Sequence, residues 1–350
     1  DQINYTIPFH TRFFGDSYSY YEDLKQNQQG AYSAYLHIGK RQILSISPEL
    51  FFELNDNTIK VKPMKGTIHR GKTYEEDLEL KEWLATSSKN KNENEMVHPS
   101  SICVTKPFHI EQYPTLFQMT STIQGKLIES CTITDIFKSL FPSSSISGVP
   151  KHRAIQLIRQ FETYPRDVYC GAIGFVTPEL HSVFNVPIRT VIIDQSKNKA
   201  KFQAGGAITL YSNPTEEYAE ILTKTKVLKI REPFQLLETI GLINGEFIAF
   251  EEHMKRLRNS AAYFNFTVDV STICERLFSI KNEYCRGNWR IRLTVEKNGE
   301  YHIEVKELIN ADNRIVVTLA KEPIDKTNVF HYHKTTNRKM YESHREDAEE

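Results

Sequence analysis

Pro63-Met64-Lys65-Gly66-Thr67-Ile68-His69-Arg70-Gly71 is the stretch on which the reading of this chain turns. It sets a lysine and a glycine among strand-forming residues. Upstream, Ser45-Ile46-Ser47-Pro48-Glu49-Leu50-Phe51-Phe52 sets a carboxylate in similar company. A carboxyl group in apolar surroundings can keep a proton to donate, and a lysine there can lose one and act as nucleophile or base. Spacing alone favours the plainer reading of Lys65 and Glu49, an ordinary surface ion pair on a turn.

Around this stretch the chain reads as short strands and helices. Ala31–Ile38 and Gln42–Leu54 are predicted strands joined at Gly39-Lys40. Tyr74–Ser87 is predicted helical, with Leu78, Leu80, Trp83 and Leu84 at helical spacing. Lys89–Glu95 reads on its own as a solvated loop. Thr115–Leu127 and Ile133–Phe141 are also predicted helices. Pro150 suits the first turn of a helix over Lys151–Phe161. Strands are predicted at Gly171–Val176, Val183–Ile193 and Ala200–Leu210, then a helix from Thr215 to Leu228. A boundary falls near Arg231-Glu232-Pro233, dividing the chain into 1–230 and 231–350. Beyond it come strands Leu236–Leu242 and Glu246–Ala249, helices Glu251–Phe264 and Val270–Tyr284, and strands Arg290–Val295 and Tyr301–Val305.

Composition narrows the classes. Of 350 residues, 39% are hydrophobic and 25% charged, the balance of a globular protein. The 44 basic and 44 acidic residues cancel, so no basic excess draws the chain to nucleic acid or an anionic membrane. No apolar run is long enough for a membrane span, and no signal peptide is read at the start. The five cysteines form no CxxC pair, which suits a reducing, cytoplasmic setting rather than a disulfide frame or zinc site.

Three further groups could carry chemistry. Glu217 and Glu220 share a helix face and offer hard oxygens to magnesium, with Glu93 a third ligand if the fold brings it there. A solvated helix face is the plainer reading. Ser143–Gly148, ahead of a helix, and Ala204-Gly205-Gly206, as a glycine turn, could offer backbone N–H groups to an anion. Arg189 lies within an apolar strand, where a guanidinium needs an anion from the protein or a ligand.

In their order these segments resemble the chorismate-binding enzymes. The likeness runs through Ser47-Pro48-Glu49-Leu50-Phe51, Pro63–Gly71, Glu93-Asn94, Gln112-Tyr113-Pro114-Thr115-Leu116, Ser145–Lys151, Tyr169–Gly174, Phe184–Thr190, Ala204–Ile208, and Ser212-Asn213-Pro214 with Glu217, Glu220 and Lys224. It covers roughly residues 1–228. It implies an α+β fold of large antiparallel sheets with flanking helices. It also implies roles: Mg2+ on Glu93, Glu217 and Glu220; chorismate held by Gln2, Tyr169, Arg189, Lys224 and the N–H groups of Gly205 and Gly206; and Glu49 as general acid. Isochorismate and salicylate synthases have a water-activating lysine where Gln2 stands. Anthranilate synthases have alanine where Lys65 stands. Lysine there resembles the aminodeoxychorismate synthase branch, in which it is the nucleophile and ammonia from a glutamine amidotransferase subunit adds at carbon 4. Anthranilate synthase component I and a non-catalytic partner are the alternatives.

Some positions depart from the family. About ten residues are absent by comparison after Val97, as is the N-terminal part of the family's sheet. Asn90 stands at an often acidic position, Gln118 at a histidine of the anthranilate synthases, and Gln203 at a glycine.

Beyond the boundary, Phe234–Thr239, Asn244-Gly245 and Glu252–Ala261 resemble the start of fold-type IV pyridoxal-phosphate enzymes. Tyr332–Arg338 with Tyr341 resembles the cofactor-lysine region of an aminodeoxychorismate lyase. The likeness implies a partial domain of that type, with PLP joined to Lys334 and its phosphate met by Arg256.

Overall fold

The computed structural model describes residues 2–28, 30–86, 103–114, 116–128, 131–229, 233–308, 323–339 and 341, with the backbone alone at 27, 65–67 and 83–86. Two compact units emerge: Asp1–Arg70 with Leu80–Arg231, and Gly71–Glu79 with Glu232–Glu350.

The first unit carries β1 (Gln2–Arg12), α1 (Ser17–Gln28), β2 (Tyr32–Ile38), β3 (Arg41–Ser47), β4 (Leu50–Asn55), β5 (Thr58–Lys62) and β6 (Met64–His69). Helix α2 (Tyr74–Thr86) begins in the second unit and ends in the first. The first unit continues with β7 (Cys103–Gln112), β8 (Leu116–Lys126), α3 (Ile133–Leu140), α4 (Ser144–Ser147), β9 (Gly148–Val149) and α5 (Lys151–Phe161). It closes with β10 (Ile173–Val176), β11 (Ser182–Asn185), β12 (Thr190–Asp194), β13 (Lys199–Thr209) and α6 (Pro214–Thr225). One sheet runs β2-β3-β12-β13-β1-β9, the other β10-β11-β4-β5-β8-β6 with β7 also on β8. All these pairs are antiparallel.

Alternation along the first sheet separates its two faces. Leu44, Ile46, Val191, Ile193, Ala200, Phe202 and Ala204 pack with Tyr21 and Leu24 of α1 and Ile221 of α6. Each fully buried leucine or isoleucine there contributes about 1.5–3 kcal/mol. The intervening residues Asn4, Thr6, Ser45, Ser47, Thr190 and Gln203 are buried as well, yet polar. Buried polar groups need partners. Thr190 Oγ1 donates to Ser45 Oγ at 2.9 Å, whereas Gln203 Oε1 has none among the described residues. A buried polar sheet face is the setting of a polar ligand rather than of a core.

Several expectations change here. Thr115–Leu127 is not a helix: Leu116–Lys126 is a strand hydrogen-bonded on both edges. The predicted strand Gln42–Leu54 is two strands in different sheets, β3 and β4, because Pro48 removes a ladder donor between them. Val183–Ile193 likewise divides at Pro187 into β11 and β12. Gly205 and Gly206 lie inside β13, opposite Thr6 and Tyr5, and not in a turn, because β1 pairs with β13 along its whole length. Strand β1 and helix α1 had no prediction.

The second unit has β14 (Leu236–Ile243), β15 (Glu246–Phe247), α7 (Phe250–Phe264), α8 (Val270–Glu283), β16 (Asn288–Val295) and β17 (Tyr301–Glu307). The sheet order is β15-β14-β16-β17. Leu236, Ile240, Leu242, Ile291 and Leu293 meet Met254, Leu257, Ile273 and Leu277 of the helices in one core, against which Tyr74 also packs.

Candidate active site

Glu49 and Arg189 stand at two of the places where the chain crosses between the large sheets. Glu49 joins β3 to β4, and Arg189 ends the Val186–Arg189 link from β11 to β12. The crossings are stitched together. Val186 N–H donates to Glu49 O at 3.1 Å and Ile46 N–H to Arg189 O at 3.2 Å. Ser47 Oγ donates to Val186 O at 2.6 Å.

Glu49 is 2% exposed. Ser145 Oγ of α4 donates to its Oε1 at 2.5 Å. Asn4 Nδ2 donates to Ser145 O, and Arg166 donates to Ile146 O and Asn4 O, each at 2.7 Å. Arg166 itself pairs in bidentate fashion with Glu162. The short helix that presents Ser145 is therefore fixed to β1 by charge-assisted bonds.

Arg189 is 7% exposed and takes φ +49°, a left-handed conformation uncommon outside glycine. Burial pushes its pKa down to about 10, below the ordinary guanidinium range. Its Nη1 is buried without a hydrogen-bond partner among the described residues. A guanidinium so placed is costly until an anion meets it. Its Cζ lies 4.9 Å from the centre of the Tyr113 ring. Tyr169 is buried too, with its phenol pushed well above the ordinary range by burial.

Helix α6 starts where Asn213 caps it, its side chain accepting from Thr215 N–H at 2.9 Å, with Pro214 in the first turn. One turn on, buried Glu217 accepts from Ser212 Oγ at 2.7 Å through Oε1. Its Oε2 lies 3.2 Å from where a Cβ on Gly206 would stand, so that glycine leaves room for the carboxylate. Lys224 Nζ bridges Glu220 Oε1 at 2.8 Å and Gly205 O at 2.6 Å. Glu217, Glu220 and Lys224 thus gather on the Gly205-Gly206 pair, with Gln2 across the same ladder opposite Thr209.

These hard oxygens are the donor chemistry magnesium prefers. Among the described residues no three His, Cys, Asp or Glu side chains converge as a metal site. Glu93, the third candidate ligand, lies outside them. Lys65 is placed by its backbone on β6 opposite Met119, beside a register shift before Thr67. Helix α6 packs against that strand.

In the second unit Lys334 and Arg256 line one cavity of about 270 Å³ with His331, Asn337, Arg338 and Tyr341. Lys334 O accepts from Leu237 N–H at 3.0 Å, which ties the segment to β14. Burial lowers the Lys334 pKa, as do Arg256 and Arg338 beside it. Fully buried Glu238 grips Arg256 Nε at 2.8 Å and Nη2 at 2.5 Å, and His253 Nδ1 at 2.6 Å. His331 Nε2 and Thr335 Oγ1, in the same lining, are buried without partners among the described residues. A phosphorylated aldehyde cofactor fits a cleft with an amine, a held guanidinium and unsatisfied polar atoms.

Ser145, Tyr113 and Glu238 have no role in the sequence reading. Ser145 belongs to a loop that the sequence marks only for its backbone N–H groups. Tyr113 and Glu238 sit in recognisable segments but reveal their partners only in three dimensions.

Residues 1–229 match the family of chorismate binding enzymes, and residues 235–350 match amino-transferase class IV. Aminodeoxychorismate synthase component 1 of Salmonella typhimurium is 32% identical over 246 residues, 67% of this chain and 53% of the relative. A probable chloroplastic aminodeoxychorismate synthase of Oryza sativa is 35% identical over 226 residues, 60% of this chain and 25% of the relative. Anthranilate synthase component 1 of Saccharolobus solfataricus is 31% identical over 229 residues, 62% and 54% of the two chains. The crystal structure of anthranilate synthase component I from Streptococcus pneumoniae superposes with a TM-score of 0.58 at 26% identity, covering 65% of this chain and 53% of that one. The chain spans about half the length, or less, of the relatives it matches. With the match spanning residues 1–229, well over half of its length, the chain belongs to the chorismate binding enzyme family.

Proposed function

We propose that the chain aminates chorismate at carbon 4 to give 4-amino-4-deoxychorismate, with ammonia from a glutamine amidotransferase partner, in the cytoplasm. The observation that carries this reading is buried Arg189, with Nη1 unpartnered, beside buried Glu49 at the paired sheet crossings. A chorismate carboxylate is the anion that Arg189 lacks. Tyr169 would border the ring, while Lys224, Gln2 and the Gly205-Gly206 backbone would fix the other polar groups. Glu49, oriented by Ser145, would give its proton to the departing 4-hydroxyl. Lys65 would add at ring carbon 2 as the double bonds shift and the hydroxyl leaves as water. Ammonia then bonds at carbon 4 and the lysine departs from carbon 2. Glu93, Glu217 and Glu220 would hold magnesium, which supplies charge neutralisation of a carboxylate.

Incubation with chorismate, ammonium and magnesium tests this. The expected product is 4-amino-4-deoxychorismate, and Lys65→Ala should abolish it. Fluorescent anthranilate as the main product would establish the rival synthase instead.

The cleft of the second unit supports a second activity, release of 4-aminobenzoate and pyruvate from that product. Lys334 would hold the aldehyde carbon of pyridoxal phosphate and Arg256 its phosphate, and the cofactor would supply an electron sink. A visible absorbance band on adding the cofactor, lost in Lys334→Ala, is expected; no band in the unaltered chain refutes it.

A further inference from the structure

Tyr113 follows β7, immediately before Pro114, and is 6% exposed. Its backbone is held on both sides: its N–H donates to Leu116 O at 2.9 Å, and its carbonyl accepts from Arg70 Nη1 at 2.9 Å. Its ring faces the Arg189 guanidinium at 4.9 Å. Its hydroxyl donates to Glu111 Oε2 at 2.9 Å, and Lys62 Nζ donates to Glu111 Oε1. Contacts therefore run without a break from Lys62 through Glu111 and Tyr113 to Arg189.

This order of contacts solves an electrostatic problem. Glu111 is near enough to Arg189 to favour its charge. An unengaged Glu111 would compete with a ligand carboxylate for the guanidinium. Lys62 and the Tyr113 hydroxyl instead occupy one oxygen each. The guanidinium meets a ring face, which attracts it without using its N–H groups. Nη1, which has no partner among the described residues, stays available to a carboxylate.

We propose that Tyr113 is a positioning residue, anchored through Glu111 and Lys62, that holds Arg189 ready for a substrate carboxylate; this rests on the reading of Arg189 as a chorismate ligand.

The test measures KM and kcat for chorismate, with ammonium and magnesium, in the full chain. The variants are Tyr113→Leu, Tyr113→Phe, Glu111→Gln, Arg189→Lys and the double Tyr113→Leu with Arg189→Lys. Loss of the ring in Tyr113→Leu should raise KM about tenfold, and loss of the hydroxyl in Tyr113→Phe about threefold, with kcat changing less. The double variant should be no worse than Arg189→Lys alone, because Tyr113 acts through Arg189. Should Tyr113→Leu fail to fold, Tyr113→Phe and Glu111→Gln decide, each expected to raise KM while leaving melting temperature near wild type. Unchanged KM in the folded variants, or single effects that multiply in the double, overturns the role. A wild-type chain that neither binds nor turns over chorismate overturns the functional reading, and the role of Tyr113 with it.

Discussion

Arg189 combines burial, a left-handed backbone and a lowered pKa of about 10. Between about 10 and the higher, ordinary value of the unfolded chain, the folded chain binds fewer protons at this group than the unfolded chain. Its contribution to stability therefore rises with pH across that window. Affinity for a carboxylate runs the other way, because only the charged guanidinium attracts it. Chorismate affinity, measured by calorimetry, should hold steady up to about pH 9 and fall about tenfold per unit above about pH 10. A steady affinity through that range would remove Arg189 from the carboxylate site. At this scale the sequence is a fair guide to charged residues. Arg189 stands out because a guanidinium in an apolar strand is costly without an anion, whereas Glu49 reads on spacing alone as half of a surface ion pair. Tyr113 does not stand out, since a tyrosine beside a strand end is ordinary until its neighbours are known.

Elements were legible where one face is wet and one is dry. Helix Lys151–Phe161 matches its prediction residue for residue, and α7 and α8 differ from theirs by a residue at one end. Strand β8 defeated the same reasoning. Its first five residues are all buried, so the period of two that marks a half-wet strand is missing. The β-branched Thr120, Thr122 and Ile123 were the better signal there. Gly148 shows how tightly the elements around Glu49 are fitted. It takes φ +122° with extended ψ, and a Cβ there would stand 2.2 Å from Gln2 O. Gly148→Ala must separate β1 from β9 and disturb the turn that presents Ser145. We expect a loss of about 1–3 kcal/mol in denaturant unfolding, with a fall in kcat beyond what the folded fraction explains. A variant of unchanged stability and rate would mean that this close approach is not maintained in solution.

At the scale of the whole molecule, no helix of the described residues is long and apolar enough to cross a membrane. The two units are not two consecutive lengths of chain, because Gly71–Glu79 belongs to the second. Tyr263 Oη donates to Gly71 O at 2.6 Å, and buried His333 lies 3.2 Å from Lys72 O through Nε2. Tyr74 adds its ring to the second unit's core. The sequence shows a boundary near Arg231, where the pattern of strands and helices restarts, but no sign of this excursion, since its partners lie far along the chain. A chain cut after Arg231 leaves Tyr74 and two backbone carbonyls without those partners. It should melt several degrees below the corresponding transition of the full chain, as a loss of about 1–3 kcal/mol implies. Equal melting would show that the excursion is dispensable.

That excursion also bears on how such a chain can be inherited. Genes that join two domains are commonly imagined as exchangeable at the seam, one cassette for another. Here a replacement cassette spliced in at Arg231 would arrive without the nine residues that its core expects from upstream. The host half would keep those residues with nothing to receive them. Descent should therefore pass the two halves on together, with Gly71–Glu79 drifting in step with the surface of α7 and the His333 segment rather than with the strands on either side of it.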